Sequence, residues 1–216
     1  MIWGFLLTAA IWVALFPKQF LQLVTRMCYR LKVVNHEVIP TKGAGVIIAN
    51  HVSFIDWLFI VATCKRKVYF VIWYKFFEVP LFGTFLKMLP LIPIAGQKEN
   101  FLVYEKSFQR INQLLDQGQL ICIFPEGKIT YDGKLNKFKS GLSRILTEND
   151  VPLYGMVLKG LWGSFFSRKY GAFKRITRFY SKIEVTYRAI PKSQWKNLDD
   201  LEQMFREELT QEANQA

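Results

Sequence analysis

The fold is decided by residues 101–124, which have the sequence FLVYEKSFQRINQLLDQGQLICIF. Asn100 suits the position that caps a helix, and Gly118 suits the position that ends one. The apolar run Leu120–Phe124 follows directly and is typical of a buried strand. Between the two signals, apolar side chains recur at helical spacing, at Tyr104, Phe108, Ile111 and Leu115. We therefore predict a helix over Phe101–Gln117 that leads into a strand.

Outside this unit, strand-like and helical segments alternate along the chain. Four further short runs are predicted to be strands: Val46–Ala49, Val68–Ile72, Leu153–Leu158 and Ile183–Ala189. Strands separated by helices predict the α/β fold class, with a mostly parallel central sheet flanked by helices. The tail from Asn197 has apolar residues at helical spacing, so we expect it to form a packed acidic helix. Ligands of such sheets tend to bind beyond the carboxyl ends of the strands.

The N-terminal part of the chain differs in character from the rest. Met1–Phe16 contains no charged side chain, and Lys18–Lys32 combines apolar residues at helical spacing with several cations, which predicts an interfacial helix. We accordingly predict a membrane-associated N-terminal helical segment over residues 1–32 and one further domain over residues 33–216. A tilted span, a hairpin in one leaflet and a buried helix of the domain are all compatible with Met1–Phe16.

Composition narrows the class of protein. The 216 residues suit one domain, and 51% hydrophobic with 21% charged residues excludes both intrinsic disorder and a multi-spanning membrane protein. The net charge is +12, although the twenty residues from Asn197 hold six acids and one base. Such a basic body attracts anionic partners: nucleic acid, an anionic bilayer or phosphorylated small molecules. Three widely spaced cysteines without a CxxC pattern argue against disulfides and thiolate zinc sites, and Cys122 is expected in the core.

The first motif that could carry chemistry is Asn50-His51-Val52-Ser53-Phe54-Ile55-Asp56, directly after a predicted strand. A neutral imidazole can take a proton from a hydroxyl, and a carboxylate can hold its other nitrogen and stabilise the imidazolium. Residues five apart lie about 140° around a regular helix, so His51 and Asp56 meet only if the chain turns between them. The alternative is structural, with His51 bonded to the backbone and Asp56 placed in the first turn of a helix.

The second motif is Phe124-Pro125-Glu126-Gly127, at the end of the predicted strand Leu120–Phe124. Proline ends the ladder and glycine frees the backbone, so the turn can direct N–H groups at a phosphate or an oxyanion while Glu126 accepts hydrogen bonds. Lysines follow it, among them Lys128, Lys137 and Lys139, which suit either a phosphate pocket or a solvated basic loop.

Together the two motifs identify a resemblance. The chain resembles the lysophospholipid (glycerolipid) acyltransferase family from about Tyr29 to Pro191: His51 and Asp56 match its HxxxxD hallmark, and Phe124–Gly127 match its FPEG block. The extended forms NHVSFID and FPEGKIT look most like the branch that acylates 2-acyl-glycerophosphoethanolamine. In that branch the domain often follows a transporter-like membrane region and precedes an acyl-activating ligase.

The resemblance implies an enzyme, a glycerophospholipid O-acyltransferase. It implies that His51 deprotonates the acceptor hydroxyl, that Asp56 orients His51, and that the alkoxide attacks the thioester directly. The phosphate or oxyanion is then expected near the substrate-binding residues Phe124, Pro125, Glu126, Gly127, Lys128, Lys137 and Lys139. Acyl-CoA or acyl carrier protein would be a co-substrate, with no resident cofactor and no metal. The expected partners are the lysophospholipid acceptor and an anionic membrane surface, with the protein at the cytoplasmic face of the inner (plasma) membrane.

The chain also departs from the family pattern. The Arg expected after an apolar strand is absent from Leu91–Lys98, where Lys98 is the nearest cation. Its loss favours a lysophospholipid with a larger head group, such as lysophosphatidylethanolamine, over the alternative acceptor 1-acylglycerol 3-phosphate. The rival of another class is a non-enzymatic basic membrane-tethering module.

Two surface stretches bear on the choice of partner. The apolar residues of 76–88 could rest on acyl chains, and Lys159–Tyr180 holds six cations, seven aromatic residues and no acid, which describes a bilayer-facing surface. Nucleic acid is not expected, because no RNP-like or helix-turn-helix signature accompanies these residues. A hydrolase would need a GxSxG elbow or a Cys poised by His, and a metal hydrolase would need more ligands than two histidines supply.

Overall fold

The fold was determined from a computed structural model of the chain. The structure describes residues 17–164, 166, 167, 169 and 180–210. The predictions for Met1–Phe16 lie outside these residues, as does most of the aromatic and basic stretch that ends at Tyr180. Within the described residues, no helix is both long enough and apolar enough to cross a membrane.

Seven strands and six α-helices alternate along the described chain. The strands are β1 Arg30–Val34, β2 Gly45–Ala49, β3 Val68–Trp73, β4 Leu91–Ile94, β5 Leu120–Ile123, β6 Leu153–Lys159 and β7 Lys182–Ile190. The helices are α1 Pro17–Cys28, α2 Asp56–Thr63, α3 Phe82–Leu86, α4 Phe101–Asp116, α5 Gly141–Glu148 and α6 Leu198–Thr210. Short 3-10 turns lie at His36–Val38, Tyr74–Glu78 and Lys192–Gln194.

The strands form one sheet in the order β1-β7-β6-β2-β5-β3-β4. The five strands from β6 to β4 are parallel, whereas β7 pairs antiparallel with β6, and β1 pairs parallel with β7. The amino ends of β1 and β7 therefore lie at the same edge of the sheet as the carboxyl ends of β2, β5 and β6. We call this edge the site edge.

The core lies on both faces of the sheet. Alternate strand residues such as Ile47 and Met156 pack on one face with Tyr29 and Phe59, at the end of α1 and within α2. The strand residues between them point to the other face and pack with side chains of α4, α5 and α6, which include Phe108, Ile145 and Phe205. Both faces are covered, as the continuous apolar runs of the central strands require. Two helical layers thus enclose the sheet.

The predicted α/β class and mostly parallel sheet are confirmed. Asn100 caps α4 by accepting a hydrogen bond from the Val103 N–H at 3.1 Å, and Gly118 after the helix has a φ of 72°. The predicted strands occur within one or two residues of their expected bounds, and the acidic tail forms α6 with Leu201 and Phe205 buried.

Two edge strands correct the predictions. The expected interfacial helix over Lys18–Lys32 ends at Cys28, because Arg30–Val34 instead forms β1 and pairs with Lys182–Thr186 of β7. Leu91–Ile94 forms β4, although Pro93 interrupts its ladder. An edge strand tolerates this proline because one of its sides needs no partner.

Candidate functional site

The first motif turns sharply between β2 and α2. β2 ends at Ala49 and α2 begins at Asp56, so the intervening residues bend back on themselves. The His51 Nδ1 lies 2.7 Å from Asp56 Oδ2, although the two residues would lie on different sides of a continuous helix. The Asp56 side chain is fully buried, whereas 21% of the His51 side chain is exposed. The structure thus brings the predicted pair into contact.

The Asp56 carboxylate also holds the turn together. Its Oδ2 accepts hydrogen bonds from the Val52 and Ser53 N–H groups at 2.7 and 3.0 Å, and its Oδ1 accepts one from the Ser53 hydroxyl at 2.6 Å. A buried carboxylate is stable only when its oxygens are satisfied in this way. Asp56 therefore has both roles considered from the sequence: it begins the helix and it meets the histidine.

The second motif and the residues directly after it hold the backbone of His51 at two points. Glu126 Oε1 accepts a hydrogen bond from the His51 N–H at 2.7 Å, and the His51 carbonyl accepts one from the Thr130 N–H at 2.9 Å. Because β2 and β5 are neighbours in the sheet, their carboxyl ends place the two motifs side by side. Residues 75 positions apart are joined through one buried carboxyl group.

Glu126 links this backbone to a third segment. Its Oε2 accepts hydrogen bonds from the Asn136 N–H at 2.7 Å and from the Asn136 side-chain amide at 2.8 Å. Burial raises the pKa of the Glu126 carboxyl, and the hydrogen bonds from Asn136 and His51 oppose that rise. Glu126 is 1% exposed, and its buried carboxyl group joins His51 to Asn136 inside the turn, a link that we call the strut.

The remaining residues of the second motif shape the wall beside the imidazole. The Phe124 ring stacks on the His51 ring with centroids 4.2 Å apart and an angle of 19°. Pro125 is buried, and Gly127 has a φ of 62°, a conformation that L side chains rarely adopt. The Gly127 N–H donates to the Phe124 carbonyl at 3.0 Å, so that particular N–H closes the turn and is not directed at a ligand.

The three lysines predicted for the site are placed differently. Lys139 lies over the turn, since a Cβ added to Gly127 would come within 2.9 Å of the Lys139 Nζ, and its N–H donates to the Pro125 carbonyl. Lys128 is exposed directly after the turn. Lys137 is exposed on the side that faces α6, where its charge acts on Glu202. The structure thus places Lys139 against the motif.

Two polar residues were not singled out for the site by the sequence analysis. Asn136 completes the strut with Glu126, but its role depends on a loop fold that leaves no sequence pattern. Asn50 is buried and ties the end of β2 to β6, because its side chain accepts from the Leu158 N–H and donates to the Leu158 carbonyl. In the sequence, the signal for a role of Asn50 at the site is its position directly before His51.

The assembled geometry suits a proton transfer. Because Nδ1 of His51 is held by Asp56, the imidazole presents Nε2 as its second nitrogen. An anionic partner at Nδ1 stabilises the cation that forms when Nε2 takes a proton. The described residues contain no cluster of three or more histidine, cysteine or acidic side chains that could hold a metal ion.

Comparison with known proteins identifies the family of the chain. The family model "Acyltransferase" matches residues 30–159, which include both motifs. The chain is 27% identical to a probable 1-acyl-sn-glycerol-3-phosphate acyltransferase of Mycoplasma pneumoniae over 158 residues, which are 70% of this chain and 59% of that protein. It is 25% identical to a chloroplastic 1-acyl-sn-glycerol-3-phosphate acyltransferase of Arabidopsis thaliana over 133 residues, 61% of this chain and 36% of the relative.

A solved structure shows the same fold. The crystal structure of the 1-acyl-sn-glycerophosphate acyltransferase PlsC from Thermotoga maritima aligns with a TM-score of 0.66 at 16% identity and covers 92% of this chain and 79% of that one. The chain spans less than two thirds of the length of the two relatives above. These comparisons do not support the 2-acyl-glycerophosphoethanolamine branch in particular. Since the family model covers more than half of the chain, the chain belongs to the acyltransferase family.

Proposed function

We propose that the protein is a glycerophospholipid O-acyltransferase that moves a fatty acyl group from a thioester donor to the free hydroxyl of 1-acyl-sn-glycerol 3-phosphate. The observation that carries this proposal is the 2.7 Å contact between His51 Nδ1 and the buried Asp56 carboxylate. It lies beside the Phe124–Gly127 turn in a chain of the acyltransferase family. No covalent acyl-enzyme is required.

In this reaction, His51 is the general base. Its Nε2 takes the proton of the acceptor hydroxyl, and the oxygen attacks the thioester carbonyl to form a tetrahedral intermediate. The carbon–sulfur bond then breaks, and the thiolate leaves with the proton that the imidazolium returns. Asp56 keeps the imidazole in position and stabilises its charged form throughout.

The acceptor phosphate is expected at the basic side of the turn. Lys139 lies over Gly127 and supplies a cation at this turn. Lys128 is exposed next to it, which makes it a second candidate for a phosphate contact. A lysine ammonium can pair with phosphate as a point charge without a fixed geometry.

The head group of the acceptor is inferred from the relatives of the chain. The relatives named above are 1-acyl-sn-glycerol-3-phosphate acyltransferases, and they favour the phosphate acceptor over lysophosphatidylethanolamine. The cation Lys98, where the family pattern has Arg, is exposed in the turn that follows β4. Lysophosphatidylethanolamine, the acceptor expected from the motif forms, is therefore the comparison substrate in the test below.

Donor, partners and location extend the same proposal. Acyl-CoA and the acylated form of acyl carrier protein are both thioesters that fit the reaction. The reaction needs neither a resident cofactor nor a metal. The location at the cytoplasmic face of the inner (plasma) membrane stays a prediction. The same holds for an association with transporter-like or acyl-activating ligase domains.

The test is an acyl-transfer assay with purified protein, labelled acyl-CoA or acyl carrier protein, and each of the two lysophospholipids. We expect transfer to 1-acyl-sn-glycerol 3-phosphate, and we expect His51→Ala to lose about 10²–10⁴-fold in rate while it remains folded. His36→Ala is the matched control, because His36 is the second histidine and lies in a 3-10 turn before β2. Vesicle binding without any transfer would instead support the membrane-tethering module, and faster transfer to lysophosphatidylethanolamine would assign the other head group.

A further inference from the structure

The connection between β3 and β4 exposes an unusual amount of apolar surface. Eight large hydrophobic side chains are more than a third exposed within residues 73–89: Trp73, Phe76, Val79, Leu81, Phe82, Phe85, Met88 and Leu89. Monomeric soluble proteins rarely leave contiguous apolar surface of this kind open to water. The exposure of these side chains is explained if the surface binds an apolar partner.

Leu81 forms the tip of this segment. Its side chain is 89% exposed, and its φ of 62° is one that a residue without a special role avoids. The Phe82 N–H donates to the Pro80 carbonyl at 2.7 Å across Leu81, so a three-residue turn holds the backbone at that angle. A leucine fixed in an unfavourable conformation and directed into water gains nothing within the fold itself.

Helices α1 and α2, on the same face of the sheet as residues 73–89, expose further apolar side chains. The connections from β2 to β3 and from β3 to β4 progress in one direction across the sheet, so right-handed crossovers place α2 and α3 on one face. Helix α1 packs on α2, where the Gln22 side chain donates to the Ala62 carbonyl. Exposed apolar side chains on these two helices are Leu23, Met27 and Trp57, at 49%, 68% and 44%. We call α1, α2 and residues 73–89 the apolar layer.

The opposite layer, formed by α4, α5 and α6, has the contrary character. Among its described residues, large hydrophobic side chains are exposed only at Phe101 and Leu102, in the first turn of α4. Its helices carry eight acidic and four basic residues, whereas in the apolar layer the acids are Glu78 and the buried Asp56 against four bases. An anionic surface therefore attracts one layer and repels the other.

A basic groove adjoins the apolar layer at the site edge. It is lined by Arg26, Tyr29, Arg30, Leu31, Lys32, Tyr180 and Lys182, and Lys32 pairs with Glu184 at 2.8 Å. Because β1 and β7 begin at the edge where β2 ends, these cations lie on the same side of the molecule as His51. Their position suits phosphate groups that lie at one level with the reacting centre.

We infer that the apolar layer docks on an anionic phospholipid leaflet, with the Leu81 tip among the acyl chains and the basic groove against lipid phosphates. The inference rests on the proposed function only in that the acceptor is itself a lipid. Apolar side chains beside a row of cations match the acyl chains and the head groups of one leaflet. A second copy of this basic chain would bring like charges together and fits this surface less well.

The apolar half of the inference is tested by vesicle sedimentation with the whole chain. Leu81→Asp should weaken binding to vesicles of phosphatidylcholine with phosphatidylglycerol by about tenfold or more, because a leucine leaves the acyl chains and a charge replaces it. Leu81 is 89% exposed, so the substitution removes few contacts within the fold. Leu102→Asp, the same change on the opposite layer, should leave binding unchanged. Equal binding by Leu81→Asp and the parent protein would overturn the inference.

The basic half has its own variants. Arg30→Glu should weaken binding to the anionic vesicles by about tenfold and hardly affect the weak binding to pure phosphatidylcholine. Arg110→Glu on α4 makes the same charge change on the opposite layer and should have no effect. Inorganic phosphate at millimolar concentration should not compete with vesicle binding, because the groove acts together with the inserted side chains.

Two results would overturn the inference that this surface binds a leaflet. Full competition by phosphate would show a site for soluble phosphate. Concentration-dependent dimers in place of vesicle binding would show that a second copy of the chain binds there.

A kinetic arm separates this inference from the proposed function. With a short-chain acceptor dissolved as monomers, Leu81→Asp should transfer acyl groups at the parental rate, whereas with an acceptor presented in anionic vesicles it should be slower by about tenfold. Absence of transfer by the parent protein in both formats would reject the proposed function and leave the vesicle-binding result to be judged alone. Equal loss in both formats would show that the tip serves the site and not the membrane.

Discussion

At the residue scale, Asp56 combines a chemical and a structural role that two substitutions can separate. In Asp56→Asn, the remaining oxygen can still accept from His51, Val52 and Ser53, and the new amide can donate to the Ser53 hydroxyl. We therefore expect the fold to persist while acyl transfer falls by about 10²–10⁴-fold, since the imidazolium loses its anionic partner. Steady-state rates with urea unfolding measure both effects.

Asp116→Asn is the control for this change, because Asp116 is exposed at the end of α4. Ser53→Ala tests the structural half, since it removes one hydrogen bond to Asp56 and should cost about 1 kcal/mol of unfolding free energy. Full activity in Asp56→Asn would contradict the role given to the pair.

Gly127 and Lys139 offer a second prediction at this scale. In Gly127→Ala the new Cβ would come within 2.9 Å of the flexible end of Lys139 and would hold alanine at a φ of 62°. We expect the lysine to be displaced and the KM for 1-acyl-sn-glycerol 3-phosphate to rise several-fold, because a charged contact to phosphate is lost. Lys139→Met should raise the KM similarly without the backbone strain. An unchanged KM in both variants would remove Lys139 from the phosphate site.

Sequence patterns predict part of this site and not the rest, for a physical reason. The contact between His51 and Asp56 follows from a local turn, and five residues suffice to describe it. The strut from Glu126 to His51 and Asn136 joins segments that only the strand order brings together. Lys137 and Lys139 look alike in sequence, yet the loop directs one toward α6 and one over Gly127.

At the element scale, α4 is the helix whose limits are set most clearly by its own sequence. Asn100→Ala removes the acceptor for the Val103 N–H and should cost about 1 kcal/mol of unfolding free energy, which urea denaturation measures. Asn100→Ser keeps an oxygen at the cap and should retain most of that stability. A loss as large in the serine variant would show that packing around Asn100, and not the cap, is responsible.

The two edge strands are among the elements that the sequence did not predict. β1 has the sequence Arg30-Leu31-Lys32-Val33-Val34 and follows a basic helix, so its cations extend the helical pattern into the strand. β4 contains Pro93 and only four residues. Central strands are buried on both faces and need continuous apolar runs, whereas edge strands escape that demand and carry a weaker signal.

At the scale of the whole molecule, the three thiols report on the integrity of the core. None of them forms a disulfide; Cys64 and Cys122 are buried, and Cys28 is half-buried. Burial raises the pKa of the Cys122 thiol, which lowers its thiolate fraction as well as its accessibility. We expect a thiol reagent to modify Cys28 in the native protein and all three thiols in denaturant. Fast native modification of Cys122 would contradict the closed sheet.

Alkaline pH should lower the free energy of unfolding through the ionisation of a tyrosine that lies between α1 and β1. Tyr29 is 7% exposed and packs edge-on against Phe59 with centroids 5.2 Å apart, and burial raises its pKa to about 12. The unfolded chain loses this proton near pH 10, whereas the folded chain keeps it until about pH 12, so stability is complete below pH 10 and falls as the pH rises between these values. The loss from this group reaches at most about 3 kcal/mol by linkage.

Urea unfolding at a series of pH values between neutral and about pH 12 measures this loss. Tyr29→Phe keeps the ring against Phe59 and has no proton to lose, so its unfolding free energy should decline less steeply over the same interval. Burial also raises the pKa of Tyr187, whose hydroxyl lies 2.6 Å from the Thr63 hydroxyl, and that group should resist ionisation beyond the range in which Tyr29 titrates. Identical alkaline curves for the parent and Tyr29→Phe would show that α1 is held to the sheet by contacts that the ionisation of Tyr29 does not disturb.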